Sequence, residues 1–455
     1  MAGLVRIGRR VEITWRALGD RERRDSLLDV PDRDQITVGD GRPMSQHDPK
    51  TPARRAALRH CMVVYAHYPL GETRVQREAE ALVHAGYAVD VICLREDGEP
   101  PRERYRGVDI HRVPMSLDKM SLARQLAGYL RFFVLAAVRL TKLHRRRPYH
   151  SVQVHNLPDF LVFCALVPKL QGVPILLDLH DLMPEFFVGR FGKDRRPGLV
   201  GLIRWQERLA CRFADHVITV SDHWRQALVR RGVPEGKCSV IMNVADERIF
   251  GRRPMRRTPN GQFHLIYHGT VTQRYGIDVA VRAVGLLREE IPGIRLTILG
   301  RGDQVPELLA LRRDLGLESH VDLRDELVLA EDLPEHMAEA DVGVVPYRND
   351  VFTDGLLPTK LMEYAVMGLP CIAARTTAIE RYFGDGMVEL FTPGEVQDLA
   401  RCIRELHAHP TRLADLARRS RNFTKRYNWA DIGARYAGLV RNLARGGAEK
   451  TGGTL

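Results

Sequence analysis

A lysine and a glutamate stand three residues apart in the stretch Leu357-Pro358-Thr359-Lys360-Leu361-Met362-Glu363-Tyr364. Pro358 suits the first turn of a helix and Thr359 offers a capping hydroxyl, so Lys360 and Glu363 project from one face of that turn. A helix start with a cation, free amides and one carboxylate can hold a phosphate together with a neighbouring sugar hydroxyl. Gly368 and Pro370 then end the helix. The competing reading of these eight residues is a plain surface ion pair.

Three further loops carry similar promise. In Tyr267-His268-Gly269-Thr270-Val271-Thr272-Gln273-Arg274-Tyr275-Gly276, Gly269 permits close backbone approach, Thr270 supplies a hydroxyl and Arg274 a fork of donors suited to phosphate. Asp178-Leu179-His180-Asp181-Leu182-Met183-Pro184-Glu185 sets a histidine between carboxylates, so His180 and Asp181 can orient or polarise a reacting group. Its acids crowd one loop without a second histidine, which is not zinc spacing. His155-Asn156-Leu157-Pro158-Asp159 directs Asn156 and Asp159 to the same edge, although Asp159 serves equally as a first-turn dipole partner. By contrast Leu299-Gly300-Arg301-Gly302-Asp303 holds a single G-x-G, and a tight turn is its simplest reading.

The elements that must position these loops alternate in type. Apolar runs at 61–65, 88–94, 151–155, 174–178, 216–220 and 238–241 read as strands, with helices at 75–85, 158–171, 199–214 and 221–231 between them. Residues 243–262 break this pattern with Arg252, Arg253, Pro254, Arg256, Arg257, Pro259 and Gly261, a connector. Alternation resumes with strands near 263–267, 295–299, 320–323, 341–345, 370–374 and 387–390. The expected fold is α/β: two doubly wound Rossmann-like domains whose strand carboxyl ends face each other across a cleft. Residues 1–57, polar and aperiodic, are expected to be a disordered extension. The first domain then spans 58–245 and the second 246–426. Residues 427–455 form a C-terminal helix, packing back toward the first domain, and a tail.

The 455 residues carry a net charge of +12, which attracts something anionic without choosing among nucleic acid, phosphorylated substrate and acidic membrane. Seven scattered cysteines form no C-x-x-C pair and read as reduced core residues. The first fifty residues lack the apolar stretch of a secretory signal, and no run approaches the ~20 residues of a membrane span. The expectation is therefore a cytoplasmic protein. One segment qualifies it: residues 122–149 combine Leu126, Leu130, Phe132, Phe133 and Leu140 with Arg124, Arg131, Arg139, Lys142, Arg145, Arg146 and Arg147. Such a helix can lie in an anionic membrane interface, or simply pack on its own sheet.

With these segments in place the chain resembles the retaining glycosyltransferases of GT-B fold known as family 4, from about Met62 to the end of the last helix. The resemblance rests on Tyr68 to Gly86, Asp178 to Glu185, Ala214 to Ser221, and the second half from His268 through Pro370. It implies a nucleotide-diphosphate sugar bound by the second domain and an acceptor bound by the first. Lys360 would then meet the diphosphate, Glu363 the ribose, and Gly269 and Arg274 the phosphates, with His180 as the active-site histidine. Gly300, Arg301 and Thr270 join the donor side; Asn156, Asp159 and Glu185 join the acceptor side. Three features depart from the family, the first being that Tyr68-Pro69-Leu70-Gly71 replaces the glycine pair usual after the first strand. The acid usual eight residues before Glu363 is Gly355, so either Asp354 substitutes or the amides around Leu356 and Leu357 contact the sugar. The basic pair usual on the 269 loop is reduced to Arg274.

The function expected is transfer of a sugar, with retention, from a nucleotide-diphosphate sugar to a polysaccharide or lipid-linked saccharide. No metal or other cofactor is expected, and nucleic acid is not an expected partner. The protein is placed in the cytoplasm, in peripheral contact with the inner face of the cell membrane. The alternatives are a nucleotide-sugar epimerase of the same fold, and a basic membrane- or nucleic-acid-binding protein.

Overall fold

The computed structural model describes residues 57–69, 72–115, 122–191, 197–251, 262–384 and 386–451. All but the last residue of the expected extension, and the connector at 252–261, lie outside them.

The first half is built on eight strands: β1 (Arg59–Val63), β2 (Ala88–Leu94), β3 (Arg102–Tyr105), β4 (Val108–Val113), β5 (Ser151–His155), β6 (Ile175–Leu179), β7 (His216–Thr219) and β8 (Cys238–Val240). They lie in the order β3-β4-β2-β1-β5-β6-β7-β8, parallel except for the β3–β4 hairpin. The second half uses β9 (Phe263–His268), β10 (Ile294–Leu299), β11 (Val321–Arg324), β12 (Val342–Val345), β13 (Cys371–Ala374) and β14 (Glu389–Phe391), in the order β11-β10-β9-β12-β13-β14, all parallel. Each strand order reverses beside its first strand, and there the carboxyl ends leave a crevice. The expected doubly wound α/β architecture is the one observed.

Parallel strands covered on both faces are mostly apolar; β13 is wholly so, while β1, β6 and β9 add the buried polar residues His60, Asp178 and His268. The β3–β4 hairpin has no counterpart in the sequence reading. Arg106 and Gly107 turn it with φ of 47° and 82°, a two-residue loop of positive φ that suits the strand twist. Helix 158–171 is also revised: Asp159–Ala165 is 3₁₀ and only Leu166–Leu170 is α-helical. Pro168 sits inside that short helix, and a proline there cannot donate to the carbonyl four residues back.

The last helix, Trp429–Thr451, returns to the first half. There the Tyr436 hydroxyl donates to Gln153 on β5 at 2.6 Å, and the Arg77 guanidinium lies 5.2 Å from the Trp429 ring.

Candidate functional site

The carboxyl ends of β1, β5 and β6 gather a buried polar cluster around Asp178. Arg74, in the first turn of helix Thr73–His84, forks onto both Asp178 oxygens at 2.9 Å, ion-pairs with Glu78 at 3.1 Å and donates to the Ile241 carbonyl at 2.7 Å. His155 Nδ1 lies 3.0 Å and His180 Nε2 3.2 Å from Asp178 Oδ2, and the two ring nitrogens are 3.1 Å apart. Burial alone would raise Asp178, but Arg74 and His180 outweigh it and hold the carboxylate well below its ordinary range. Burial opposes charge on His180 as well. There Asp178 wins, and the imidazole is raised above 6.5. His155, more deeply enclosed, is pushed by burial down to about 4.

His180 is the exposed edge of this cluster, with 21% of its side chain reaching solvent while those of His155 and Asp178 are sealed. Asn156 fixes the loop that carries it: Oδ1 accepts from the His180 amide at 2.9 Å, and Nδ2 donates to the Asp181 carbonyl and to Asp159. A donor nitrogen, an acceptor oxygen and a tethered backbone let His180 hold a proton at a defined place. The His155, Asp178 and His180 ligand atoms lie within 4.8 Å of one another, a set that could hold a metal ion. A cation there would have to compete with the Arg74 guanidinium, which already occupies both Asp178 oxygens.

Across the cleft, helix Thr359–Met367 begins at the N-cap Pro358. Thr359 is therefore its first residue, and the expected hydroxyl cap is not made. Pro358 has no side-chain donor or acceptor to offer; the Leu361 amide donates to the Pro358 carbonyl at 3.1 Å, and Thr359 and Lys360, without a side-chain cap, line the cavity. Lys360 is only 7% exposed. Its ammonium lies 4.7, 5.1 and 5.0 Å from the ring centres of Tyr267, Tyr275 and Tyr347, and donates to the Tyr347 hydroxyl at 3.0 Å. Burial lowers it to about 8. Among the described residues no carboxylate comes within salt-bridge distance of it; Glu363 attracts it from one turn on, and three aromatic faces enclose it. Glu363, one turn on, is pushed by burial up to about 7, with its Oε2 3.3 Å from His268 Nε2.

A cavity of about 390 Å³ joins the two sides. Arg74, His180, Asp181 and Asn243 line it from the first half; Gly269, Thr270, Tyr275, Tyr347, Leu357, Lys360 and Glu363 line it from the second. Gly269 has φ of +110°, and a Cβ there would sit 3.3 Å from Lys360 Cε, so glycine both makes the turn and leaves room for the lysine.

Several expected site residues stand elsewhere. Gly300 and Arg301 are behind the 269 loop: a Cβ on Gly300 would meet the Gly269 carbonyl at 1.9 Å, and the Arg301 carbonyl accepts from Val271. They shape the loop and do not line the cavity. Arg274 lies over the Phe352 and Phe186 rings at 5.1 and 5.7 Å, at the rim beside Asp181. Glu185 pairs with Arg231 at 2.6 Å, and Asp159 is buried behind Asn156. Asp354 accepts from the Thr377 amide at 2.9 Å, at the start of helix Thr377–Phe383. Gly355 is enclosed too, since a Cβ would meet Trp224 at 2.5 Å and His223 at 2.6 Å. A glutamate cannot occupy 355 without parting the two halves, which leaves Leu356 and Leu357 on that wall, the Leu356 amide itself donating to the Thr353 carbonyl at 3.3 Å.

The sequence reading passed over Arg74, Asn243, Tyr275 and Tyr347 as site residues. Arg74 had one signal: it follows the loop after β1, on the same sheet edge as His180. Tyr347 had none beyond its place after β12.

Two family descriptions match the chain, Glycosyl transferase 4-like domain over residues 71–243 and Glycosyl transferases group 1 over residues 262–409. A D-inositol 3-phosphate glycosyltransferase of an Arthrobacter species is 30% identical over 373 residues, 78% of this chain and 86% of that protein. The GDP-mannose-dependent alpha-(1-6)-phosphatidylinositol monomannoside mannosyltransferase of Mycolicibacterium smegmatis is 30% identical over 174 residues, 37% of this chain and 44% of that one. Among solved structures, sucrose-phosphate synthase from Thermosynechococcus elongatus superposes with a TM-score of 0.68 at 18% identity, covering 85% of this chain and 99% of that one. HepE from Anabaena, in complex with UDP-glucose, gives 0.62 at 17% identity, with 85% and 100% covered.

Proposed function

The chain belongs to glycosyltransferase family 4, the group 1 enzymes of GT-B fold, and from that premise we propose that it moves a sugar from a nucleotide-diphosphate sugar to a saccharide or lipid-linked saccharide, with retention of configuration. One observation carries the reading. Lys360, Glu363 and an uncapped helix start face His180, Asp181 and Arg74 across a single cavity.

In this reading the diphosphate takes the Lys360 ammonium and the first-turn amides, with Arg274 at the rim. The nucleotide ribose hydroxyls bond to the Glu363 carboxylate. The sugar lies against the amides around Leu356 and Leu357 and under His180, whose imidazole orients a hydroxyl near the reacting carbon. Leaving-group charge is met by these cations and dipoles, so the mechanism calls for no metal. Retained configuration requires the acceptor hydroxyl to approach from the leaving-group side, the side on which Lys360 concentrates positive charge. The protein acts in the cytoplasm, in peripheral contact with the inner membrane face.

The test begins with thermal unfolding in the presence of UDP, GDP, ADP and their sugars, since a ligand of the native state raises the transition. One nucleotide series should raise it, and Lys360→Ala should abolish that rise while leaving a cooperative transition. With that donor and a saccharide acceptor, product analysis should show a new glycosidic bond of unchanged anomeric sense. Donor converted to an isomeric sugar nucleotide without acceptor would replace this reading by epimerisation. No shift with any nucleotide would remove it.

A further inference from the structure

Helix Leu122–Arg146 is apolar on two faces, and only one of them is explained by the core. Phe132, Ala136 and Leu140 are fully buried against the first sheet. Leu126, Leu130, Val134 and Val138, also spaced by four, are between 48% and 58% exposed. At about 100° per residue the second stripe is centred on the outward side of the helix. A third strip borders it: Arg131, Lys142, Arg145 and Arg146 are exposed and make no ion pair among the described residues. The helix contains no Asp or Glu at all.

The stripe does not stand alone. Connections β4 to β5, β5 to β6 and β6 to β7 all step in one direction across the sheet, so their helices share one face of it. Helix Leu166–Leu170 on that layer exposes Leu166 and Leu170, and helix Pro197–Phe213 exposes Leu202 and Trp205. Eight of the twelve exposed large apolar residues among those described lie on these three helices, a concentration that scattered surface leucines do not give. At the N-terminal end of the stripe Arg131 also lines a recess of about 640 Å³ with Tyr65, Arg95, Glu96, Asp97 and Arg124. That recess opens on the sheet edge that carries His180.

We propose that this helical layer is the surface through which the protein docks on an anionic lipid bilayer, with Leu126, Leu130, Val134, Val138 and Trp205 entering the interface and Arg131, Lys142, Arg145 and Arg146 meeting phosphate headgroups. Charge complementarity selects the occupant. Apolar side chains bordered by unpaired cations match an interface with hydrocarbon below and phosphate above. A two-fold contact with a second copy would set the arginine row against itself. A nucleic acid would leave the leucines and valines unused. The inference gives the membrane contact of the proposed function its residues and rests on that reading only for its purpose; binding is measured without catalysis.

Co-sedimentation with vesicles of equimolar phosphatidylglycerol and phosphatidylcholine, against phosphatidylcholine alone, tests it. The protein should bind the anionic vesicles at least tenfold more tightly, less so at high salt. Serine at 126, 130, 134 and 138 together should weaken that binding at least tenfold, as should glutamine at 131, 142, 145 and 146. Both variants carry exposed substitutions and should keep the nucleotide-induced thermal shift, which separates this proposal from the one above. Brominated lipid should quench fluorescence, and Trp205→Phe should remove most of the quenching. Equal binding to neutral vesicles, variants that bind like the parent, or a dimer abolished by the serine substitutions without vesicle binding would each overturn it.

Discussion

Replacing Lys360 by methionine should stabilise the fold and destroy donor binding. The ammonium is enclosed by Tyr267, Tyr275 and Tyr347 with no carboxylate at salt-bridge distance among the described residues, and burial, only partly offset by the attraction of Glu363, lowers it from 10.5 to about 8. Each unit of that depression is worth about 1.4 kcal/mol, so keeping the charge there at pH 7 costs about 3 kcal/mol relative to a neutral side chain. Methionine fills similar space without that cost, and the tyrosine hydroxyls remain free to donate. Between about pH 8 and 10.5 Lys360 is neutral when folded and still charged when unfolded, so the parent gains stability as pH rises. The advantage of Lys360→Met should therefore shrink from about 3 kcal/mol at pH 7 to about 1 kcal/mol at pH 10. Urea unfolding at the two pH values measures it, alongside nucleotide titration of the same variant. A variant less stable than the parent at pH 7, or an advantage independent of pH, would refute the reasoning that this lysine is kept for a ligand and not for the fold.

Three further outcomes follow from the same geometry. Asp178→Asn leaves Arg74 buried with Glu78 as its one remaining ion-pair partner among the described residues and should cost roughly 3 kcal/mol; because folding holds Asp178 well below its unfolded value, the parent keeps this contribution above about pH 4 and loses it as pH falls further, a limb absent from the variant's acid titration. Nucleotide affinity should be bell-shaped in pH, rising as Glu363 ionises near about 7 and falling as Lys360 deprotonates near about 8, and calorimetry on Glu363→Gln should show the acid limb gone. Asp354→Ala should lower stability by about 1 kcal/mol through the lost Thr377 bond and change donor affinity less than twofold, whereas a change in sugar preference would make Asp354 a sugar contact after all.

Strand–helix alternation was legible because parallel strands buried on both faces are short continuous apolar runs between glycines, prolines and polar loops. The loops that carry chemistry were legible as places for the same reason: Gly269, His180 and Lys360 each stand where a strand ends or a helix begins. Partnerships were not. Arg74 and Asp178 are 104 positions apart, and nothing in either neighbourhood names the other. Tyr267 on β9, Tyr275 on the loop that follows it and Tyr347 after β12 meet around one ammonium. Asp354 looked like a stand-in for a missing glutamate because it is adjacent in sequence, but the backbone turns it to Thr377. The helix at 122–146 shows the same limit. Its composition announces an amphipathic helix, but only packing separates Phe132 and Leu140, which face the core, from Leu126 and Leu130, which do not.

The cleft holds fewer available cations than its surroundings suggest, and this determines how the site must work. Arg74 is committed to Asp178 and Glu78, and Arg77 to Asn243 and the Val244 carbonyl. Arg274 lies on two phenylalanine rings at the rim. For a diphosphate in the cavity, Lys360 and the first amides of its helix come first, and Arg274 is left to reach in from the rim. Among the described residues the lysine is held by ring faces and hydroxyls, with Glu363 near it but not at salt-bridge distance. In the proposed function this one ammonium, in a low-dielectric cavity, takes the place of the basic pair that is reduced on the 269 loop. The sugar end follows a different logic. With Gly355 sealed by Trp224, the wall there is backbone and leucine, so in the proposed function donor sugars would be told apart by the shape of the pocket around Leu356 and Leu357 and not by a carboxylate at 355.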